Sequence, residues 1–365
     1  MELPNDIWSS ILQKTKSIKN CEKLYDALPS QVRYELKSIY FAHKESLNLR
    51  FVCGFSGHFS LYNSDILERS IYLSNIIQVK HVKNWNTSTG KRNCIVVATS
   101  NGKILFSDAI TMDYIEAFDI GSTLSHIEFH PTQSIMLTVK EELYGKKLKI
   151  WRFDLDRSAF TIAIEFLGSG KKLFFFHPSQ PEIYIFTSNY SYNPYHWKLG
   201  MVYFCNYQNQ SMGFSDAIHS YLYLNNLYTP LKIREDGTFD CIKYDNSINN
   251  FCNFRIDNDE IIELQIQQVR ENTGLKDCLV VWDFLRIGND IYFYTYQKRD
   301  TRIFKQTGNE SKIIYRSPHL LSQIFCKNRM LIFMDNKELV FLDLEDNLLI
   351  EKFSLDDSPV DFCLI

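Results

Sequence analysis

"SHIEFHPTQSIMLTVKEELYGKKLKIWRFD", residues 125–154, decides the reading of the fold. An apolar run ends at Phe129-His130-Pro131, a small polar turn follows over Thr132 to Ser134, a second run begins, and a third ends at Ile150-Trp151. Short apolar runs bounded by turn residues are the pattern of β-strands. The pattern extends both ways from this stretch. Leu49, Phe51, Cys53 and Phe55 alternate with other residues, as in a half-buried strand. "VVATSNGKILF" and "LKIREDGTFDCIKY" place Asn101-Gly102 and Asp236-Gly237 between apolar runs. Both dipeptides predict tight two-residue hairpins built on positive φ.

The tetrad "LKIW", ending at Trp151, has six counterparts. "FSLY", "KILF", "MVYF", "CIKY", "TRIF" and "LVFL" end at Tyr62, Phe106, Phe204, Tyr244, Phe304 and Leu342. Their mean spacing of about 47 residues falls within the roughly 40 to 50 residues of a four-stranded propeller blade. The expectation is a mainly β chain with a seven-bladed β-propeller over residues 47–365. Uneven spacing leaves two readings of "DCLVVWDFLRIGNDIYFYTY", residues 277–296: an extra strand or a shifted register. Only two strands, 49–55 and 58–62, precede or contain the first anchor, so its blade lacks an innermost strand. After an outer strand in "NLLIEKFSL", Val360 to Ile365 is expected to supply it and close the ring.

Composition narrows the partners. The chain has 365 residues, is 45% hydrophobic and carries a formal net charge of -3, so it has no global basic field to gather nucleic acid or a membrane surface. The nine cysteines include no Cys-x-x-Cys pair, which fits reduced thiols and a cytoplasmic or nuclear location, that of a host cell included. No apolar stretch reaches signal or membrane-spanning length.

Residues 1–46 read differently. Ile7, Trp8, Ile11 and Leu12 line one face of a first helix, with Pro4 in its opening turn and Asp6 near its positive end. Ile18, Cys21, Leu24, Tyr25 and Leu28 mark a second helix that Pro29 stops. A third begins at Ser30, as N-cap, and carries Val32, Leu36, Ile39 and Tyr40. Three short helices bury little, so their remaining apolar surface is a candidate interface.

Two resemblances follow from these residues. Residues 125–154 resemble a WD repeat, and "FHPSQ" at 176–180 repeats the "FHPTQ" of 129–133; Arg152 stands where that family has Asp after the Trp. The front end resembles an F-box through Leu3-Pro4, Asp6, Ile7, Ile11-Leu12, Leu24 and Leu28, and is similar to F-box-like proteins of giant DNA viruses. That resemblance implies the substrate receptor of a cullin-RING (SCF-type) ubiquitin ligase. Leu3, Pro4, Ile7, Trp8, Ile11 and Leu12 would dock on a Skp-type adaptor while the propeller holds the target protein. The alternative is a propeller scaffold unrelated to ubiquitin, with the helices packed on its rim. Neither role requires a catalytic residue or a cofactor.

Other signals carry less. His126, Glu128 and His130 share a strand face at a spacing that could hold a metal, but His130 already belongs to the Phe-His-Pro strand ending and the sequence offers no further ligand for the remaining pair. "GSGKK" at 168–172 lacks the first Gly and the Ser or Thr of a phosphate loop. Lys298, Arg299 and Arg302, beside Tyr294 and Tyr296, form a basic run suited to an acidic or phosphorylated target.

Overall fold

The computed structural model describes residues 7–9, 11, 18–37, 50–63, 66–87, 90–121, 123–142, 145–152, 159–164, 172–179, 181–189, 198–206, 218–223, 227–234, 236–245, 248–257, 260–269, 281–297, 299–322, 324–327, 330–344, 349–355, 357 and 359–365. These residues are mainly β. Residues 7–9 and 11 are helical, α1 spans Ile18–Ala27, and a further helical run covers 30–37. Cys21, Leu28 and Leu36 are buried together, with Trp8, Leu24, Tyr25 and Val32 packed around them. The helical spacing read from sequence therefore marks a real small core. The first bond of the third helix runs from Arg33 N to Pro29 O at 2.9 Å, so Pro29 rather than Ser30 holds the cap position.

The strands follow in antiparallel groups of four. First come β1 (Arg50–Gly54), β2 (His58–Asn63) and β3 (Ile66–Tyr72). A second sheet holds β4 (Ile76–Thr87), β5 (Gly90–Thr99), β6 (Lys103–Asp108) and β7 (Tyr114–Asp119). A third holds β8 (Leu124–Phe129), β9 (Ile135–Glu142), β10 (Gly145–Arg152) and β11 (Ala159–Ile164). An eight-stranded sheet contains β12 (Lys172–Phe176), β13 (Glu182–Asn189), β14 (Lys198–Asn206), β15 (Ile218–Tyr223), β16 (Leu227–Ile233), β17 (Phe239–Asp245), β18 (Ile248–Asp257) and β19 (Glu260–Gln268). Among the described residues the backbone pairing joins its two halves only at Lys198↔Tyr228, so it divides naturally into β12–β15 and β16–β19. Then come β20 (Val281–Ile287), β21 (Asp290–Gln297), β22 (Asp300–Thr307) and β23 (Glu310–Ser317). The last full group is β24 (Phe325–Lys327), β25 (Met330–Asp335), β26 (Glu338–Asp343) and β27 (Leu349–Ser354). β28 (Asp361–Leu364) returns to pair with β1, Phe51 opposite Leu364 and Gly54 opposite Asp361. Residues 361–364 thus occupy the place expected for the missing strand of the first sheet.

The tetrad anchors have a structural meaning. In six of these groups the pairing of the third strand with the outermost one carries a β-bulge, at Leu61/Tyr62, Phe106/Ser107, Phe204/Cys205, Asn253/Phe254, Ile303/Phe304 and Phe341/Leu342. Five anchors flank these bulges, where an extra residue sharpens the strand twist. Trp151 lies on the third strand β10, whose pairing with β11 carries no bulge, and Tyr244 lies on β17, a second strand. Phe254 takes its place, which turns the uneven intervals around residue 244 into two of fifty residues, from Phe204 to Phe254 to Phe304. The stretch 277–296 adds no strand beyond β20 and β21 among the described residues, and Trp282-Asp283 falls on the innermost strand of its sheet.

The turns also differ from expectation. Gly102 N bonds Thr99 O and Gly237 N bonds Arg234 O, both at 3.0 Å, and the glycines take positive φ, at 91° and 81°, while Asn101 and Asp236 before them do not. These are four-residue turns with Gly at the fourth position, not two-residue turns with both centres at positive φ. They still reverse the chain between antiparallel neighbours.

Each group packs on the next. Val52, Phe59 and Leu61 meet Val79, Ile95 and Val97; Trp85 and Phe106 meet Ile127 and Met136; His130 faces Phe176 at 5.4 Å between ring centres. Phe186 meets Phe239, Phe251 meets Phe284 and Phe293, and Tyr294 meets Leu331 and Phe333. Finally Phe341 and Met334 of the last group pack with Phe51, Tyr62 and Phe362 of the first. Backbone amides of one innermost strand are bound by side chains of its neighbour: Val79 N donates to Asp361 (2.9 Å), Ile127 N to Gln78 (2.7 Å), and Ile324 N, beside β24, to Asp283 (2.9 Å). Phe362, 5% exposed and edge-on to Phe325, fills the junction between last and first groups. Phe362→Ala is expected to destabilise the chain by about 3 kcal/mol in urea titration; an unchanged midpoint would show that β28 contributes little to the packing.

Candidate functional site

The docking face expected on the first helix is only partly described. Leu3, Pro4 and Leu12 lie outside the described residues. Ile7 is 41% exposed, whereas Trp8 turns to the small core beside Cys21, Leu28 and Leu36, and Ile11 is half-buried. Successive residues on a helix point about a quarter-turn apart, so Ile7 and Trp8 divide the work: one faces outward and the other packs. Ile7 is thus an exposed apolar side chain on a helix whose inner side is already occupied.

The basic run has been drawn into local structure. Lys298 lies outside the described residues, and Arg299 is exposed at a turn with φ of 63°. Arg302 donates to Asp300 at 2.7 Å through Nε and stands 2.6 Å from it through Nη2. Tyr294 is buried and donates its hydroxyl to Leu321 O at 3.0 Å, while Tyr296 sits edge-on to Trp282. Of the cluster read from sequence, Arg299 is the described cation that faces outward.

His126 and Glu128 do meet, Nε2 to Oε2 at 3.5 Å, with Lys80 Nζ 3.8 Å from the same oxygen. Burial pushes the Glu128 carboxyl up, but Lys80 and His126 outweigh it and hold the group below the usual carboxylate range. His130 does not join them. It is buried, and its Nδ1 accepts the amides of Thr132 (3.2 Å) and Gln133 (3.1 Å), which fixes the turn after β8. His177 Nδ1 accepts Ser179 N at 3.1 Å in the same way, so the two Phe-His-Pro openings are two copies of one turn. No group of three metal-ligating side chains occurs among the described residues.

Sequence reading missed a second histidine device. Asp335, buried at the β25–β26 turn, accepts from Tyr315 Oη (2.6 Å) and Ser317 Oγ (2.7 Å), and lies 3.0 Å from His319 Nδ1. The serine bonds the carboxylate and stands 3.5 Å from Nδ1 of the imidazole, so the three do not form a proton relay to a nucleophile. They tie residues 317–322 to the following sheet. Residues this far apart in sequence carry no local pattern that would have announced the contact.

The chain matches no family model and no curated protein. Among solved structures, dihydro-heme d1 dehydrogenase NirN, in complex with DHE, aligns with a TM-score of 0.55 and 11% identity, over 87% of this chain and 75% of its own. The β-propeller domain of Myceliophteria thermophila Cps50 (Swd1) aligns with a TM-score of 0.48 and 11% identity, over 82% of this chain and 91% of its own. At such identity likeness speaks to fold alone. Successive four-stranded antiparallel sheets, each packed on the next, make that fold a β-propeller. Among the described residues no helix is long and apolar enough to cross a membrane.

Titration at the end of β28 offers a check on the packing. His81 Nδ1 lies 3.2 Å from Leu364 O. Burial pushes its pKa below the ordinary value of 6.5 against the pull of that carbonyl, and Lys83 and Lys327 push it further down. The folded state therefore resists a proton that the unfolded chain accepts. This stabilisation is present above about pH 6.5 and is lost as pH falls through that value. Urea midpoints at about pH 7.5 and about pH 6 are expected to drop with pH, and to drop less in His81→Gln.

Proposed function

We propose that the chain is the target-binding subunit of a cullin-RING ubiquitin ligase, with the N-terminal helices as an F-box-like adaptor dock and the β-strands as a closed, seven-bladed propeller that holds the target. The reading of seven blades is supported by the division of the eight-stranded sheet at its one bridge and by the bulge that recurs on third strands. Closure is supported by the pairing of β28 with β1 and by the cluster shared between the last and first groups. A propeller suits this role because its rigid loops and turns present a surface without requiring a reactive group.

The observation that carries the adaptor reading is Ile7. An aliphatic side chain 41% exposed on a helix with its own small core is what a docking helix presents, and what a helix serving only as packing would bury. The resemblance through Leu3-Pro4, Asp6 and Ile11-Leu12 supplies the partner class, a Skp-type adaptor. In this role the chain needs no catalytic group and no cofactor. It belongs in the cytoplasm or nucleus, where such ligases work.

A pull-down of the full chain with a purified Skp-type adaptor tests this. Retention is expected for the unmodified chain and for Tyr34→Asp, a change at a side chain 82% exposed on the third helical run. Ile7→Asp is expected to reduce retention by roughly tenfold or more, since a charge would be buried at the contact. No retention of the unmodified chain would instead favour a propeller scaffold without a link to ubiquitin.

A further inference from the structure

The face that β16–β19 turns toward β20–β23 changes character along its length. At one level Ile242 and Phe251 pack on Phe284 and Phe293. Beside them runs a polar row, with Asp240 of β17 opposite Asn253 of β18 and Asn253 opposite Gln265 of β19. Residues opposite one another in an antiparallel sheet share a face. Arg286, from the innermost strand β20 of the next group, reaches across this row. Its Nε stands 3.8 Å from Asp240 Oδ1, and its Nη1 donates to Gln265 Oε1 at 2.8 Å.

Asp240 is already occupied. Arg234 grips it with two nitrogens, Nε to Oδ2 at 2.7 Å and Nη2 to Oδ1 at 3.0 Å, and Asn253 Nδ2 donates to Oδ1 at 3.0 Å. Nε of Arg286 is therefore beyond hydrogen-bonding distance of the buried carboxylate beside it. Both Nε and Nη2 of Arg286 are buried and donate to nothing, on a side chain only 6% exposed. Asp236, near Arg234, is exposed and gives its oxygen to the amide and hydroxyl of Thr238, at 2.9 and 2.7 Å. Lys232 is paired with Asp283 at 2.8 Å. Among the described residues this junction thus sets three cations, Lys232, Arg234 and Arg286, against two buried carboxylates, Asp240 and Asp283.

A buried guanidinium with two unmade bonds is costly to keep. Burial pushes the Arg286 guanidinium below the ordinary arginine value, against the pull of Asp240, and the charge of Arg234 pushes it further. Nε and Nη2 form one edge of the planar group, the edge that meets two oxygens of a carboxylate or phosphate side by side. Arg234 shows that use a few ångströms away, on Asp240.

We propose that the Nε and Nη2 edge of Arg286 binds a small oxyanion, phosphate or a carboxylate, which supplies the negative charge this junction lacks. Gln265 is exposed and the Arg234 side chain is 34% exposed, so the polar row meets solvent at both ends and a free ion has a way in. The occupant is a free ion rather than an acidic side chain of a partner, because a group as covered as Arg286 leaves no room for a second main chain. Bound there, the anion ties β16–β19 to β20–β23. The inference stands apart from the adaptor and target-binding roles.

The test uses the full chain in an amine buffer with chloride as the only other anion, at constant ionic strength. Calorimetric titrations with inorganic phosphate and with acetate tell a tetrahedral from a planar occupant, and phosphorus NMR line widths verify the first. Saturable binding of at least one of the two is expected, with a dissociation constant below about 1 mM. Arg286→Met removes the charge and keeps an unbranched stem. It is expected to weaken binding at least about tenfold and, in chloride, to melt no lower than the unmodified chain, because an unpaired buried charge has gone. Gln265→Glu, at an exposed position beside Nη1, supplies the missing charge from within and is expected to weaken binding about tenfold as well. No binding of either anion at ~10 mM, or binding unchanged in either variant, would overturn the proposal. So would a melt of Arg286→Met well below that of the unmodified chain in chloride, since the guanidinium would then be satisfied without an anion.

Discussion

Four residues at one end of the chain pair with four near the other, Phe51 with Leu364 and Gly54 with Asp361, and alternation along the strand makes that pairing face two ways at once. Phe362 points to the last group, where it meets Phe325, while Asp361 and Cys363 turn toward β4, where Asp361 receives Val79 N. A single short strand therefore joins three sheets. Its partners lie some three hundred residues apart, but the entropy of joining them grows only with the logarithm of that separation. Burial of Phe362 and Phe51 and the backbone bonds of the pair act against it. Gly54 shows how close the approach is: a Cβ there would sit 2.6 Å from a methyl of Val79.

The same logic recurs elsewhere with different chemistry. Gln78, Asp283 and Asp361 each precede the buried side of an innermost strand, and each accepts the amide of a buried residue, Ile127, Ile324 or Val79, in the neighbouring sheet. An amide oxygen and a carboxylate oxygen both accept here, so the residue type varies while the geometry stays. Burial pushes the Asp283 and Asp361 carboxyls above their usual range, against the backbone bonds that favour the ionised form. Lys232, 2.8 Å from Asp283, gives that carboxylate a counter-charge.

This freedom explains how far the sequence could be read. Alternation and apolar tetrads gave the strands, their order and the returning C-terminal strand, because burial demands apolar residues at fixed spacing whatever the family. Tyr244 misled because β17 ends in an apolar tetrad just as third strands do, and only the bulge at Asn253/Phe254 separates the two. Asn101-Gly102 announced a reversal but not its length, since the same dipeptide serves at the end of a longer turn. Trp282-Asp283 lies on an innermost strand, where Asp283 accepts its neighbour's amide. Phe-His-Pro was legible twice because a proline and an imidazole together fix one turn. The Asp335 contacts were not, because Tyr315, Ser317 and His319 meet it across 16 to 20 residues of chain.

Function was less legible than fold for a physical reason. Burial constrains the interior strongly, whereas the surface is free to take whatever a partner requires, so the informative residues are those that break the burial rule. Ile7, Leu320 and Val360 break it, as do Ile66, Leu67, Ile110, Leu264 and Ile266 among the described residues, and Leu320 and Val360 border one cavity. That cavity is walled by the residues leading into β28. A partner seated there would touch both sides of the seam and bind only the paired state, adding stability in proportion to the logarithm of its concentration. Occupancy of that cavity would thus be coupled to the pairing of β28 with β1, the strand that completes the first sheet.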